Sequence, residues 1–175
     1  KSLSEYFERV IATDASLEQL SQAKRYGRVS YLANLAEQPS LQTTSVDLIT
    51  VAVAVHWFEF EQFYNEVRRV MRPEGILAVW AYDLPKINAE VDQIINRIYQ
   101  DLSPYFPEGF QYIDSQYRTL PFPFEELTPP AISMHTTWTL RQLTGFIDSW
   151  SGTQKYLGAE QTHPLERYWH DLRDA

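Results

Sequence analysis

The chain of 175 residues contains no cysteine. That excludes disulfides and thiolate chemistry, and it agrees with a reducing cytosol, the compartment expected here. No block of lysine or arginine stands out against a net charge of −8, so the electrostatic footprint of a nucleic-acid binder is missing. The longest apolar run, Leu48 to Val55, contains Thr50 and is far too short to cross a bilayer. The first residues, from Lys1 to Arg9, carry no signal-peptide pattern and no initiator methionine, and they read as a chain that begins mid-protein. The four histidines, His56, His135, His163 and His170, lack metal-ligand spacing with acidic partners. Neither a Gly-x-Ser-x-Gly elbow nor a phosphate loop is present. Nucleic acid, membrane and metal are therefore set aside as partners.

What the chain has in quantity is rings. Aromatic residues make up 14% of it, including five Trp and eleven Tyr, enough to furnish a pocket or an interface. Apolar residues at 44% and charged residues at 22% are ordinary for a globular domain with a core of its own.

The pattern of elements is alternating. Residues 2–8 read as the last turns of a helix, and Val10 to Thr13 as a short buried strand. Ser16 to Gln19 fits a capping box that opens a helix to about Tyr26, closed by Gly27. Val29 to Leu32 is a second strand. Ser45 to Val53 is the strongest strand, and its near-continuous hydrophobicity suits coverage on both faces, as in a parallel sheet. Glu59 to Met71 is a helix, Arg72-Pro-Glu-Gly75 a turn, and Gly75 to Tyr82 another strand. Two βαβ units follow one another, which predicts an α/β, doubly wound, mostly parallel sheet.

After Pro85 the pattern changes. Ile87, Val91, Ile94, Ile95, Ile98 and Leu102 mark a long amphipathic helix. Six of the ten prolines fall in residues 103–130, which predicts extended loop. Ala131 to Trp138 alternates as a strand. Thr139 to Gln142 is a second capping box, opening a helix through Trp150, and Pro164 starts a last helix. We expect residues 1–175 to form a single domain in which 83–130 is a lid or insertion.

Ligands of open parallel sheets bind at the carboxyl ends of the strands. Asp14 sits there and could accept from both ribose hydroxyls of a nucleoside; alternatively it is a turn residue beside a helix start. Ala15 adjoins it. The Leu35-Ala36-Glu37 loop could flank a base, or be solvated surface. His56-Trp57-Phe58 follow the strongest strand. His56 could act as a general base or a hydrogen-bonding orienter, and Trp57 could floor the pocket; alternatively the histidine caps the next helix and the rings are core. Trp138, Trp150, Ser151 and Tyr156 lie in the region expected to cover the strand ends, as a substrate lid or as a satellite hydrophobic cluster, and Arg118 and Arg141 in the same region could bind an anionic substrate or be plain surface.

In order and spacing, Val10-Ile-Ala-Thr-Asp-Ala-Ser16, Tyr31-x4-Ala-Glu37, Val46-Asp-Leu-Ile-Thr50 to His56-Trp-Phe58, Glu66-Val-x-Arg-Val70 and Pro73-x-Gly-x-Leu-Ala-Val-Trp80 resemble the class I S-adenosylmethionine-dependent methyltransferases. The His-Trp-Phe turn and Phe146-Ile-x-Ser-Trp-Ser151 are similar to small-molecule members related to trans-aconitate methyltransferase. The resemblance implies a Rossmann-like sheet and S-adenosylmethionine as cofactor. Asp14 and Ala15 would hold the ribose side, Ala36 and Glu37 the adenine, and Ala52 and Val53 the border of the methionine moiety. His56 and Trp57 would face the transfer, and Trp138, Arg141, Trp150 and Tyr156 the acceptor.

The sequence departs from the family in three places. It has no Gly-x-Gly loop and no strand before that loop; a βαβ unit needs ~30 residues, so the first strand is expected to be missing. The last strand is expected to be missing too. Pro73-Glu-Gly75 stands where the family has Pro-Gly-Gly. Exposed sheet edges would invite self-association. A nicotinamide-binding domain and a non-catalytic methyltransferase-like scaffold are the competing readings.

Overall fold

The computed structural model describes residues 2–160 and 162–175. They gather into two compact units, residues 1–81 and 82–175, each described by itself. Residues 83–130 fall wholly within the second.

The first unit begins with a short helix α1 (Leu3–Tyr6) and then builds two parallel βαβ units. Strand β1 (Val10–Asp14), helix α2 (Leu17–Gln22) and strand β2 (Val29–Ala33) form the first, in register from Val10 opposite Val29 to Asp14 opposite Ala33. Strand β3 (Val46–Ala52), helix α3 (Phe60–Val70) and strand β4 (Met71–Trp80) form the second. Among the described residues, β1–β2 and β3–β4 are separate two-stranded sheets. A connection between them runs through Arg69 near the end of α3. It is paired with Glu66 and donates to the carbonyls of Leu41 at 2.9 Å and Pro39 at 3.4 Å, so it pins the β2–β3 loop.

Several boundaries differ from the sequence pattern, each for a local reason. Helix α2 stops at Gln22 instead of Tyr26, because Ala23 is already extended and its N–H closes on Leu20. The turn expected at Arg72–Gly75 lies inside β4 as a bulge: two steps of β3, Val46 to Leu48, face five of β4, Met71 to Ile76. Full coverage of the strands is not found. Val51 is buried, but Ile76 and Trp80 stay about half exposed, and β1 has no fully buried residue.

The second unit is helical. It contains α4 (Ala89–Leu102), a 3-10 turn (Ser103–Tyr105), α5 (Phe110–Asp114), α6 (Leu140–Asp148), α7 (Ser151–Ala159), a 3-10 turn (Glu166–Tyr168) and α8 (Trp169–Asp174). Asn88 starts α4 by accepting from the amides of Glu90 and Val91. The predicted apolar stripe becomes the core: Val91, Ile94, Ile95, Ile98 and Leu102 pack with Leu143, Ile147, Leu165, Tyr168 and Leu172. Each such side chain contributes ~2 kcal/mol on burial. Ile87 is not part of it, lying before the helix and exposed.

Residues 103–130 are not all extended loop, since the 3-10 turn and α5 fold within them. Proline in the first turn of a helix is compatible with helix, and Pro104 is the second residue of this 3-10 turn. The strand expected over Ala131 to Trp138 does not form. That segment is irregular and exposed, with Ile132 at 85% and Met134 at 77%, and a strand without a ladder partner has nothing to satisfy its backbone.

Candidate active site at the strand ends

Asp14 ends β1. Its Oδ1 accepts from the Ser16 amide at 2.8 Å, and Ser16 Oγ accepts from Gln19 at 3.2 Å, so the turn and the helix start are capped in series. One carboxylate oxygen serves that turn; the side chain is otherwise exposed. The functional and turn readings of Asp14 are thus compatible. Ala15 is exposed beside it.

The backbone carbonyl of Asp14 accepts from the amide of Asn34, which brings the loop after β2 alongside. Asn34 then orders that loop, donating to Gln38 O and to Ser40 Oγ at 3.0 Å. Ala36 and Glu37 lie in the ordered turn and are partly buried. Glu37 Oε1 accepts from the amide of Glu59 at 2.9 Å, reaching across to the entrance of α3. Asn34 and Glu59 were not singled out by sequence. Asparagine directly after a strand is a turn signal that could have pointed to the first; no local pattern could have pointed to the second.

Ala52 ends β3 and Val53 follows it. Val53 has φ 50°, a left-handed conformation that is an outlier for a β-branched residue, and its N–H bonds Trp80 O at 2.8 Å. The kink turns the chain into a 3-10 turn, Val55–Trp57. Here the two neighbours separate. His56 is the buried member, at 6% exposure, and Trp57 is 55% exposed. Trp57 is therefore not core. Burial holds the His56 imidazole below its ordinary pKa and so neutral at physiological pH. The two rings sit 5.4 Å apart, and Phe58 packs on Phe63 of α3.

The remaining predicted positions lie in the second unit. Trp138 and Trp150 are brought into one row through Phe146, at 5.0 and 5.8 Å, and the row continues to Tyr99 and Phe106. Tyr156 belongs to a different contact, edge-on to Tyr105. Ser151 is partly buried at the start of α7. Arg141 is exposed, and Arg118 bonds Gln116. Among the described residues there is no group of acidic and histidine side chains able to hold a metal, and no helix long and apolar enough to cross a membrane.

Comparison with known proteins follows this geometry. Residues 1–79 match the family described as a methyltransferase domain. A solved structure from Anaeromyxobacter dehalogenans, named as a type II methyltransferase, is 36% identical and covers 98% of this chain and 74% of its own, with a TM-score of 0.86. The chain belongs to the class I S-adenosylmethionine-dependent methyltransferases. A Dictyostelium discoideum protein named as a methyltransferase is 35% identical over 161 residues, 90% of this chain and 61% of that protein. Saccharomyces cerevisiae CRG1, named as an S-adenosylmethionine-dependent methyltransferase, is 30% identical over 89 residues, 46% of this chain and 31% of that protein. This methyltransferase chain thus spans about three fifths of the Dictyostelium relative. The parallel pairs and the alternating order are those of the family's Rossmann-like fold.

Proposed function

We propose that the protein transfers a methyl group from S-adenosylmethionine to a small-molecule acceptor, with a carboxylate as the acceptor group. The observation that carries this reading is Asp14 at the carboxyl end of β1: one carboxylate oxygen is used by the turn, and the side chain remains exposed. That donor set fits a ribose, whose two hydroxyls can both donate to a carboxylate. Ala15, Ala36 and Glu37 would border the nucleoside, and the backbone at Ala52 and Val53 would border the methionine side.

S-adenosylmethionine, when bound, supplies a methyl group on a sulfonium. Transfer is an in-line displacement: an acceptor oxygen forms a bond to the methyl carbon as the carbon–sulfur bond breaks, and the sulfur keeps the electron pair. An ionised acceptor has no proton to lose, so the residues work by positioning and by excluding water. A neutral, buried His56 suits that task, as an orienting group beside the exposed Trp57 ring. The candidate acceptor residues Trp138, Arg141, Trp150 and Tyr156 all lie in the second unit, where Arg141 is the exposed cation among them. Membership of the trans-aconitate-related group rests on the His56-Trp57-Phe58 turn and the Phe146 to Ser151 motif.

The test is calorimetric titration of S-adenosylhomocysteine into the protein and into its Asp14→Asn and Asp14→Ala variants. Loss of a hydrogen bond to a charged acceptor weakens binding by ~1.5–3 kcal/mol, about tenfold to a hundredfold. Equal affinity in all three would remove Asp14 from the site. No binding by this chain and none by a form extended upstream would favour the scaffold reading.

A further inference from the structure

The entrance of α3 is closed in an unusual way. In a capping box the side chain of the third helical residue reaches back to the N–H of the capping residue. Helix α6 does this locally: Gln142 Oε1 accepts from the Thr139 amide at 2.9 Å while Thr139 Oγ1 accepts from the Gln142 amide. Helix α3 has no such pair. Its capping residue, Glu59, makes no side-chain cap bond, and its amide is taken instead by Glu37, 22 residues earlier and on another loop.

This matters because of what lies between. The segment from Val53 to Glu59 carries His56 and Trp57. At its start, Val53 is fixed by the carbonyl of Trp80 at 2.8 Å. At its end, Glu59 is fixed by Glu37 at 2.9 Å. Inside, the segment is held by short-range bonds, Trp57 to Ala54 O and Phe58 to Val55 O, both 3.0 Å. The loop that carries Glu37 is itself braced by Asn34 and tied to the backbone of Asp14.

We propose that Glu37 is a positioning residue for the His56–Trp57 turn: its carboxylate replaces the missing local cap of α3 and locks the loop after β2 to the turn after β3. The inference rests on the proposed function only for the meaning of that turn. Its test needs neither cofactor nor acceptor, so a protein that fails to bind S-adenosylhomocysteine still gives a readable result.

The experiment compares wild type, Glu37→Ala, Glu37→Gln, Glu59→Pro and the double variant Glu37→Ala/Glu59→Pro. Proline removes the donor without bending the chain, since Glu59 has φ −74° and Phe58 before it is extended. Amide exchange at Trp57 and Phe58 and the titration midpoint of the His56 ring are read by NMR, with the Val67 amide as a control for folding. In Glu37→Ala, exchange at both amides quickens by about tenfold or more, the factor expected on losing a bond to a charged acceptor. The His56 midpoint moves up, towards that of free imidazole. Glu37→Gln, which keeps an accepting oxygen, retains most of the protection. Glu59→Pro copies Glu37→Ala, and the double variant adds nothing.

The direction of the His56 change separates positioning from charge. Removing a nearby negative charge alone would lower the midpoint. A lowered or unmoved midpoint, unchanged exchange in Glu37→Ala, a thermal shift with no change at the turn, or additive effects in the double variant would overturn the proposal.

Discussion

At the scale of single residues, the site is decided by which of two neighbours is buried. His56 lies under the turn and Trp57 over it. Burial depresses the His56 pKa below 6.5, so at pH values beneath that figure the unfolded chain binds more protons than the folded one. The stability this group contributes is therefore complete above 6.5 and is lost as pH falls through the lower folded value. Denaturant unfolding followed from pH 7.5 to 5 should show the wild type losing more stability on acidification than His56→Gln; parallel profiles would sink the assignment. The place of His56 after the strongest strand was legible in the sequence. Its burial was not, because adjacent residues in a 3-10 turn point in divergent directions and sequence periodicity does not say which faces in. The Glu37 contact was equally illegible: the acidic residue in the loop was visible, but its acceptor role depends on an amide 22 residues away.

At the scale of elements, the bulge within β4 sets a sharp contrast between two consecutive residues. Glu74 has φ 66°, a conformation that costs an L-residue about 1–2 kcal/mol. Gly75 has no left-handed backbone, but a Cβ there would lie 2.3 Å from Met71 Cγ and 3.0 Å from the Arg72 carbonyl. Glu74→Gly should therefore stabilise the protein by about 1 kcal/mol, and Gly75→Ala should destabilise it by about 1–3 kcal/mol. Chemical denaturation of the two variants checks both signs at once, and the same sign in both would refute the account. Elements that hold themselves together were readable in advance. The run Val46 to Ala52 and the Thr139–Gln142 box are found as the pattern implied, because apolar continuity and capping are local. Ala131 to Trp138 has the right alternation and forms no strand, because a strand exists only with a neighbour, and alternation says nothing of one. The turn at Arg72–Gly75 was seen, but not that β4 begins before it.

At the scale of the molecule, the described residues of the first unit carry two separate two-stranded parallel sheets, with Ile76 and Trp80 half exposed. Pairs of this kind are marginal alone, and unpaired edges invite further pairing. We propose that this unit self-associates: sedimentation velocity should show mass rising with concentration, and Ile76→Lys should reduce the effect. A single species across a hundredfold dilution series would exclude it. The second unit is different in kind, with an aliphatic core flanked by the row Trp138, Phe146, Trp150, Tyr99 and Phe106. Rings fixed at defined tilts in an asymmetric setting absorb left- and right-circularly polarised light unequally, and Trp57, Trp80 and Trp169 are about half exposed. The row in residues 82–175 therefore contributes to the near-ultraviolet dichroism of this protein, and the loss of that contribution reports the loosening of the second unit.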